Sequence, residues 1–297
     1  MAWRLPMTGA MLLIHVLAGR EVVTPGDLWS HWRAEPVAVV LVLLSGALYA
    51  RGTHVLRRRG VVQAVSPRRV GAFAGALVAL WIAVASPLDA VADSLFTGHM
   101  VQHLVLTSIA APLWAYAAPV VPMMWGVPRG VRLGSGRAWR GTGARVMAVL
   151  GAPAVAWGAH TAALWVWHLP GPYMAALRDP VVHALEHASF FGTALLVWWV
   201  ILRPFRHSRD AGGAAVAVAF GTMMQGSLLG ALLTFSRTPW YPSQSVAAAA
   251  WGLSPIDDQQ LAGLVTWIPA GLIYLGVVLA LAHRWLRESP PLAATLH

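Results

Sequence analysis

Seven apolar stretches succeed one another along the chain, at residues 37–56, 70–86, 95–118, 146–167, 181–202, 211–235 and 261–282. Each spans or nearly spans the about 20 residues that an α-helix needs to cross a bilayer. Charged residues sit between these stretches rather than interleaved within them. The pattern predicts an all-α polytopic membrane protein, a seven-helix transmembrane bundle over residues 36–285. The first stretch is strictly apolar only as far as Ala50, so Arg51 must extend its guanidinium to the interface. Pro112 predicts a kink in the third stretch, which neighbouring helices in a bundle can accommodate.

Composition excludes the other broad classes. Of 297 residues 58% are apolar and 11% charged, with 16 Trp, which rules out disordered chains, collagen-like chains and ordinary water-soluble enzymes. The net charge is +10, yet every one of the 21 basic residues is Arg, and most lie in short inter-helix loops. They read as topology signals at a membrane surface, with the lipid bilayer as partner and no nucleic acid. Cysteine is absent, so disulfides, thiolate ligands and a Cys nucleophile are excluded.

The arginines also set an orientation. Arg51, Arg57, Arg58, Arg59, Arg68 and Arg69 follow the first span, and Arg129, Arg132, Arg137, Arg140 and Arg145 the third. Arg203, Arg206 and Arg209 follow the fifth, and Arg284 and Arg287 the seventh. The alternate loops hold Arg178 and Arg237 beside Asp89, Asp93, Asp179, Asp257 and Asp258. The positive-inside rule then predicts the N-terminus outside and the C-terminus inside. Residues 1–35 become an extracytoplasmic segment and residues 286–297 a cytoplasmic tail. Residues 7–18 are too short to span; they read as a signal-like h-region or, with slightly better claim, a short amphipathic outer segment.

On this topology the histidines gather at one depth. His99 and His103 open the third span, His183 and His187 open the fifth, and His160 and His168 close the fourth. Three helices thus bring imidazoles to the outer leaflet, while His54, His207, His283 and His297 lie among arginines on the other side. Residues i and i+4 share a helix face about 6 Å apart, so His99/His103 and His183/His187 are each a chelating pair. His168 should lie level with the mouth, and His160 about 12 Å of rise deeper. Glu186 is the one carboxylate inside a predicted span, where ionisable groups default to function; it is placed to orient a ligating imidazole from behind.

A single histidine in a membrane helix is more often a hydrogen-bonded packing residue than a ligand. Two i,i+4 pairs at one depth with a third helix contributing reverse that balance in favour of a metal site. Imidazole suits zinc, copper, iron and nickel alike, and thioether favours Cu(I). Met100 beside the first pair, with Met223 and Met224 on the sixth span, tilts the expectation to copper, although Met is also a common core filler. Asp257 and Asp258 open the seventh span, either as caps suited to the helix dipole or as residues at the mouth of the site. SPLD at 86–89 reads as turn chemistry.

Taken together, HMVQHL at 99–104, AP at 111–112, WVWHLP at 165–170, HALEH at 183–187 and DDQQLAG at 257–263 resemble the seven-span CtaG family of cytochrome c oxidase assembly factors. WRAEP at 32–36, YARG at 49–52 and SPLD at 86–89 are also similar to that family, so the resemblance covers about residues 28–285. An unrelated single-span copper chaperone of the same symbol depends on cysteines, and this Cys-free chain does not resemble it. The resemblance implies a multi-pass accessory protein of the bacterial plasma membrane, not an enzyme, that helps to mature a haem–copper oxidase by assisting copper delivery. Its implied partners are cytochrome c oxidase subunits and other copper chaperones. The expected ligands are His99, His103, His183 and His187, with His168 as a further one. Glu186 is expected behind them; His160, Met100, Met223 and Met224 form a relay, with Asp257 and Asp258 at the mouth.

Three rival readings remain open. HALEH at 183–187 also fits the H-x-x-E-H arrangement of a zinc metalloprotease, with Asp258 as a third ligand. Facing histidines can ligate haem, in a slot that Gly221, Gly226 and Gly230 would line, although such glycines usually serve close helix packing. A cofactor-free scaffold would use the polar residues for helix–helix hydrogen bonds and the Trp- and Tyr-rich loop at 236–255 to hold an oxidase subunit, a loop that equally suits an aromatic anchor.

Overall fold

Proline opens most of the helices. Pro36, Pro67, Pro87, Pro153, Pro170, Pro180 and Pro255 each stand first in a helix, where a missing N–H costs nothing and the fixed φ already suits the turn. The residue before each proline is pushed out of the helical region, so the same residues end the preceding segment. Helix boundaries along this chain are therefore written into its prolines.

A computed structural model describes residues 23–32, 36–61, 63–202, 209–241 and 247–287. The helices are α1 (Pro36–Arg58), α2 (Pro67–Ala85), α3 (Pro87–Ser94), α4 (Phe96–Ala117), α5 (Val120–Gly126) and α6 (Arg129–Ala138). They continue with α7 (Ala144–Leu150), α8 (Pro153–Trp167), α9 (Pro170–Arg178), α10 (Pro180–Leu202), α11 (Arg209–Phe235) and α12 (Pro255–Arg287). No strand occurs among the described residues. Five helices there are long and apolar enough to cross a membrane, and seven spans result if each of two bent pairs counts as one. The proposed signal-like segment at 7–18 lies outside the described residues, as does most of the expected tail.

Two of the seven expected spans are bent pairs of helices. α4 and α5 meet at 67°, and α7 joins α8, across a break at Gly151 and Ala152, at 71°. Pro112 does not make the first bend. Its ring conflicts with the carbonyl four residues back, at Ser108, and the helix answers by widening into a π turn over Val105–Ala110. The Trp198 indole donates to the Thr107 carbonyl within that turn at 2.9 Å. The bend itself falls at Ala118, whose φ of 47° is left-handed, followed by Pro119. The expected start of the seventh span at 261 is also late: α12 begins at Pro255.

The core lies where α4, α8, α10, α11 and α12 converge. Ala111, Ala156, Ala194, Val197, Trp198, Val218, Ala219 and Tyr274 form its centre, with the Trp198 and Tyr274 rings stacked 5.2 Å apart. A second cluster at one end joins Phe96 and Met100 of α4 with Tyr173 and Leu177 of α9, Leu229 and Leu233 of α11, and Ala262 of α12. α1 and α2 pack outside this centre through Tyr49 and Phe73, whose rings stack at 3.9 Å.

Backbones approach closely at two crossings. α11 and α12 form the most extensive pairing, and it depends on Gly230 and Gly263. A Cβ on Gly230 would lie 2.6 Å from Trp267 Cβ and 2.9 Å from the Gly263 carbonyl oxygen; one on Gly263 would lie 2.6 Å from the Gly230 carbonyl oxygen. α5 seats against α1 in the same way, through Gly126 and Gly52. Small residues supply close packing in lipid, where apolar burial gives helices no reason to prefer each other over acyl chains. Gly263→Ala should therefore destabilise the protein by about 1–3 kcal/mol through overpacking against backbone. Thermal unfolding in detergent checks this, and an unchanged Tm would refute the close crossing.

Candidate functional site

The start of α4 is fixed from across the bundle. Asp258 of α12 accepts the Phe96 N–H at 2.8 Å and the Thr97 N–H at 2.9 Å on its two carboxylate oxygens, and the Thr97 hydroxyl donates to the Asp258 carbonyl at 2.9 Å. A helix start leaves N–H groups without intrahelical partners, and here a carboxylate from another helix satisfies them. Asp258 is thus a cap for a different helix, and the third-ligand role of the protease reading loses its residue to that task. Asp257 caps its own helix instead. Ser254 N–H donates to its carboxylate at 3.1 Å, and Asp257 N–H donates to the Ser254 hydroxyl at 3.2 Å, a reciprocal box at the start of α12.

One turn into α4, Gln102 secures the helix laterally. Its side-chain amide donates to the Ala83 carbonyl at 2.6 Å and to Asp89 Oδ1 at 2.9 Å, tying α4 to α2 and α3. On α10, Asp179 caps the first turn by accepting from Val181 N–H at 2.7 Å. His99 and His103 are then presented on one face of α4, facing His183 and His187 on α10.

The four imidazoles surround one carboxylate. Ring centroids lie 4.2 Å apart within the α4 pair and 4.1 Å within the α10 pair; between helices His99 stands 5.9 Å from His183, and His103 5.6 Å from His187. Glu186 Oε1 lies 3.4 Å from His99 Nε2 and 3.7 Å from His103 Nε2, with His99 and Glu186 both fully buried. The expectation set Glu186 behind the imidazoles; the structure sets its carboxylate between them. Two groups of possible ligand atoms result, His99–His183–Glu186 and His103–Glu186–His187, each with its atoms within 4.8 Å of one another. His183 is only half-buried.

Several of the polar atoms here lack a hydrogen-bond partner. His99 Nδ1, both nitrogens of His103, both nitrogens of His187 and Glu186 Oε2 are buried without a hydrogen bond. Buried polar atoms in native proteins are nearly always paired, and leaving one unpaired costs about 1–3 kcal/mol. Each neutral imidazole keeps one nitrogen lone pair, so four rings and a carboxylate gathered here form a ligand set that fits a bound cation.

His168 stands beside the cluster rather than within either group. Its ring is 6.3 Å from that of His103. Nδ1–H donates to the Leu164 carbonyl at 2.7 Å, and the Tyr241 hydroxyl donates to the His168 carbonyl at 2.6 Å. Burial, and then the negative charge of Glu186, push the Tyr241 hydroxyl well above its ordinary pKa, so it stays a neutral donor. With its proton held at Nδ1, His168 points the Nε2 lone pair at Met100 Sδ, 3.5 Å away. Neither atom can donate to the other, so the contact is a nitrogen and a sulfur donor side by side.

Below the histidines a cavity of about 70 Å³ extends into the bundle, lined among others by Met100, His103, His160, His168, Met223 and Gln225. His160 is buried there, its Nδ1 2.9 Å from the Thr193 hydroxyl. Met223 lines the cavity, but Met224 is 47% exposed on the outer face of α11 and takes no part in it; adjacent helical residues point about 100° apart. The space admits water or an ion. Of the three glycines set aside for a haem slot, Gly221 and Gly230 pack against Trp157 and Trp267, whereas Gly226 is open and lines the cavity.

Sequence reasoning missed three aromatic residues that enclose the site. Phe190 lies 4.4 Å from His103, Tyr173 5.2 Å from His99, and Tyr241 anchors His168. Phe190 was within reach of the sequence, since it follows His187 by three residues on the same face. Tyr173 and Tyr241 come from a short helix and a loop whose placement only the fold decides.

The sequence profile of the cytochrome c oxidase caa3 assembly factors matches residues 47–288. The chain belongs to that family. The match takes in all four paired histidines, Glu186, His160, His168 and the two aspartates of α12. Two uncharacterized proteins, from Mycobacterium bovis and Mycobacterium tuberculosis, are each 25% identical over 304 residues, a stretch covering 97% of this chain and 45% of theirs. The chain thus spans about half the length of the curated relatives it matches. No solved structure matches this family member.

The two aspartates make opposite demands, which gives an ordering. Asp258→Ala strands one buried and one part-buried N–H group and should cost about 2–4 kcal/mol. Asp257→Ala removes an exposed cap and should cost about 1 kcal/mol. Thermal melts of the two variants in detergent check this; equal losses would refute the cross-helix role of Asp258.

Proposed function

We propose that this membrane protein binds copper at the cluster of His99, His103, His183, His187 and Glu186 and assists its delivery to a cytochrome c oxidase during assembly. The observation that carries the reading is the convergence of two imidazole pairs from α4 and α10 on one buried carboxylate, with both nitrogens of His103 and of His187 and Glu186 Oε2 left without a hydrogen bond. Membership in an oxidase assembly family supplies the pathway. It favours an accessory role over catalysis, with oxidase subunits and other copper chaperones as partners.

Copper is favoured over zinc by the sulfur nearby. Met100 Sδ abuts the free nitrogen of His168, and Met223 lines the same cavity; thioether ligands select Cu(I). His168 with Met100 then forms the step from the cluster into the cavity, and His160 and Met223 continue it. With the arginine-rich loops in the cytoplasm, the cluster opens on the outer face of a bacterial plasma membrane.

Metal content of detergent-purified protein, loaded anaerobically with Cu(I) or Zn(II), tests the reading. The parent should retain copper at stoichiometric level or above, and His99→Ala/His103→Ala/His183→Ala/His187→Ala should lose at least tenfold. In cells that quadruple variant should lose oxidase copper and activity. Zinc retained in place of copper would revive the hydrolase reading, and unimpaired oxidase assembly by the variant would establish a cofactor-free scaffold.

A further inference from the structure

The imidazoles do not converge on a single point. His99 and His183 lie one turn nearer the helix starts, nearly parallel at 21°, while His103 and His187 meet edge to face at 89° one turn further in. The possible ligand atoms gather, within 4.8 Å of one another, into two triads rather than one set of five, and the single residue common to both is Glu186.

Charge adds a second constraint. Glu186 is buried, and the carboxylate of Asp258 is already committed to the N–H groups of α4. The cluster itself therefore offers one negative charge and otherwise neutral imidazoles. Two divalent ions would leave +3 uncompensated in a medium where unpaired charge is costly, and two monovalent ions would leave +1. The imidazole-rich donor set and the thioether at its edge suit the monovalent ion.

Resting on the metal-binding role proposed above, we infer that the centre is dinuclear: His99 and His183 hold one Cu(I), His103 and His187 hold a second, and the Glu186 carboxylate bridges them. The inner ion lies next to His168 and Met100, on the cavity side, and the outer ion next to the half-buried His183. Copper entering from the His183 side thus displaces the ion ahead of it toward the cavity. Glu186 serves as a ligand to both ions rather than as an orienting group.

The test is copper stoichiometry and copper–copper scattering on the full chain in detergent, loaded anaerobically with Cu(I) and washed with a weak chelator. The parent should hold two copper ions per chain, with X-ray absorption detecting a copper–copper vector at about 3–4 Å, near the spacing of known paired sites. His99→Ala/His183→Ala and His103→Ala/His187→Ala should each hold one and lack that vector. Glu186→Gln should drop below two. One copper in the parent, with no such vector, overturns the dinuclear inference and leaves the metal site standing; none overturns both. Two zinc ions retained as tightly as two copper ions would overturn the charge argument. If either double variant fails to fold, the parent's copper count and scattering decide alone.

Discussion

A carboxylate buried between imidazoles in an apolar bundle is the constraint on which the rest of the structure depends. Moving an isolated carboxylate out of water is prohibitively costly, so Glu186 is tolerated only because His99 and His103 lie within 4 Å of it. Holding those rings there requires α4 and α10 to keep their axial register, and the helix starts are accordingly pinned. Asp258 holds Phe96 and Thr97, Gln102 holds Ala83 and Asp89, and Asp179 caps α10. Polar hydrogen bonds thus fix the helix starts at the end where the charge is buried.

The opposite problem, packing helices in lipid without an apolar driving force, is solved by close backbone contact. Gly230 with Gly263, and Gly52 with Gly126, let α11 meet α12 and α5 meet α1 without intervening side chains. The two solutions meet on α12, which carries Gly263 for packing and Asp258, five residues earlier, for register. A shift of α12 along α11 would therefore move the start of α4 and with it His99. Access to the site and rigidity of the scaffold are coupled through this one helix.

The proposed copper role gives these features a common purpose. A site built to pass ions on must bind without burying them permanently, and the half-buried His183 at one side and the small cavity at the other leave two approaches. The nitrogen and sulfur of His168 and Met100 stand between cluster and cavity, with Tyr241 and Leu164 fixing the imidazole so that its lone pair faces inward.

Much of this protein was legible in the chain because membrane helices obey a strong local rule. Apolar length identified the spans and i,i+4 spacing paired the histidines, since each depends only on residues near one another in sequence. What lay beyond the sequence depends on contacts between distant segments. The bends after Ala117 and before Pro153 need α5 to find α1 and α7 to leave α8; the π turn needs Trp198 to take a carbonyl 91 residues away. Asp258 read as a cap for its own helix or as a residue at the mouth of the site, yet it caps a helix that begins 162 residues earlier. Spacing placed Glu186 beside the histidines of α10, but only the approach of α4 set its carboxylate between two imidazole pairs. Periodicity fixes which face of a helix a side chain occupies; which other helix that face meets is decided by packing alone.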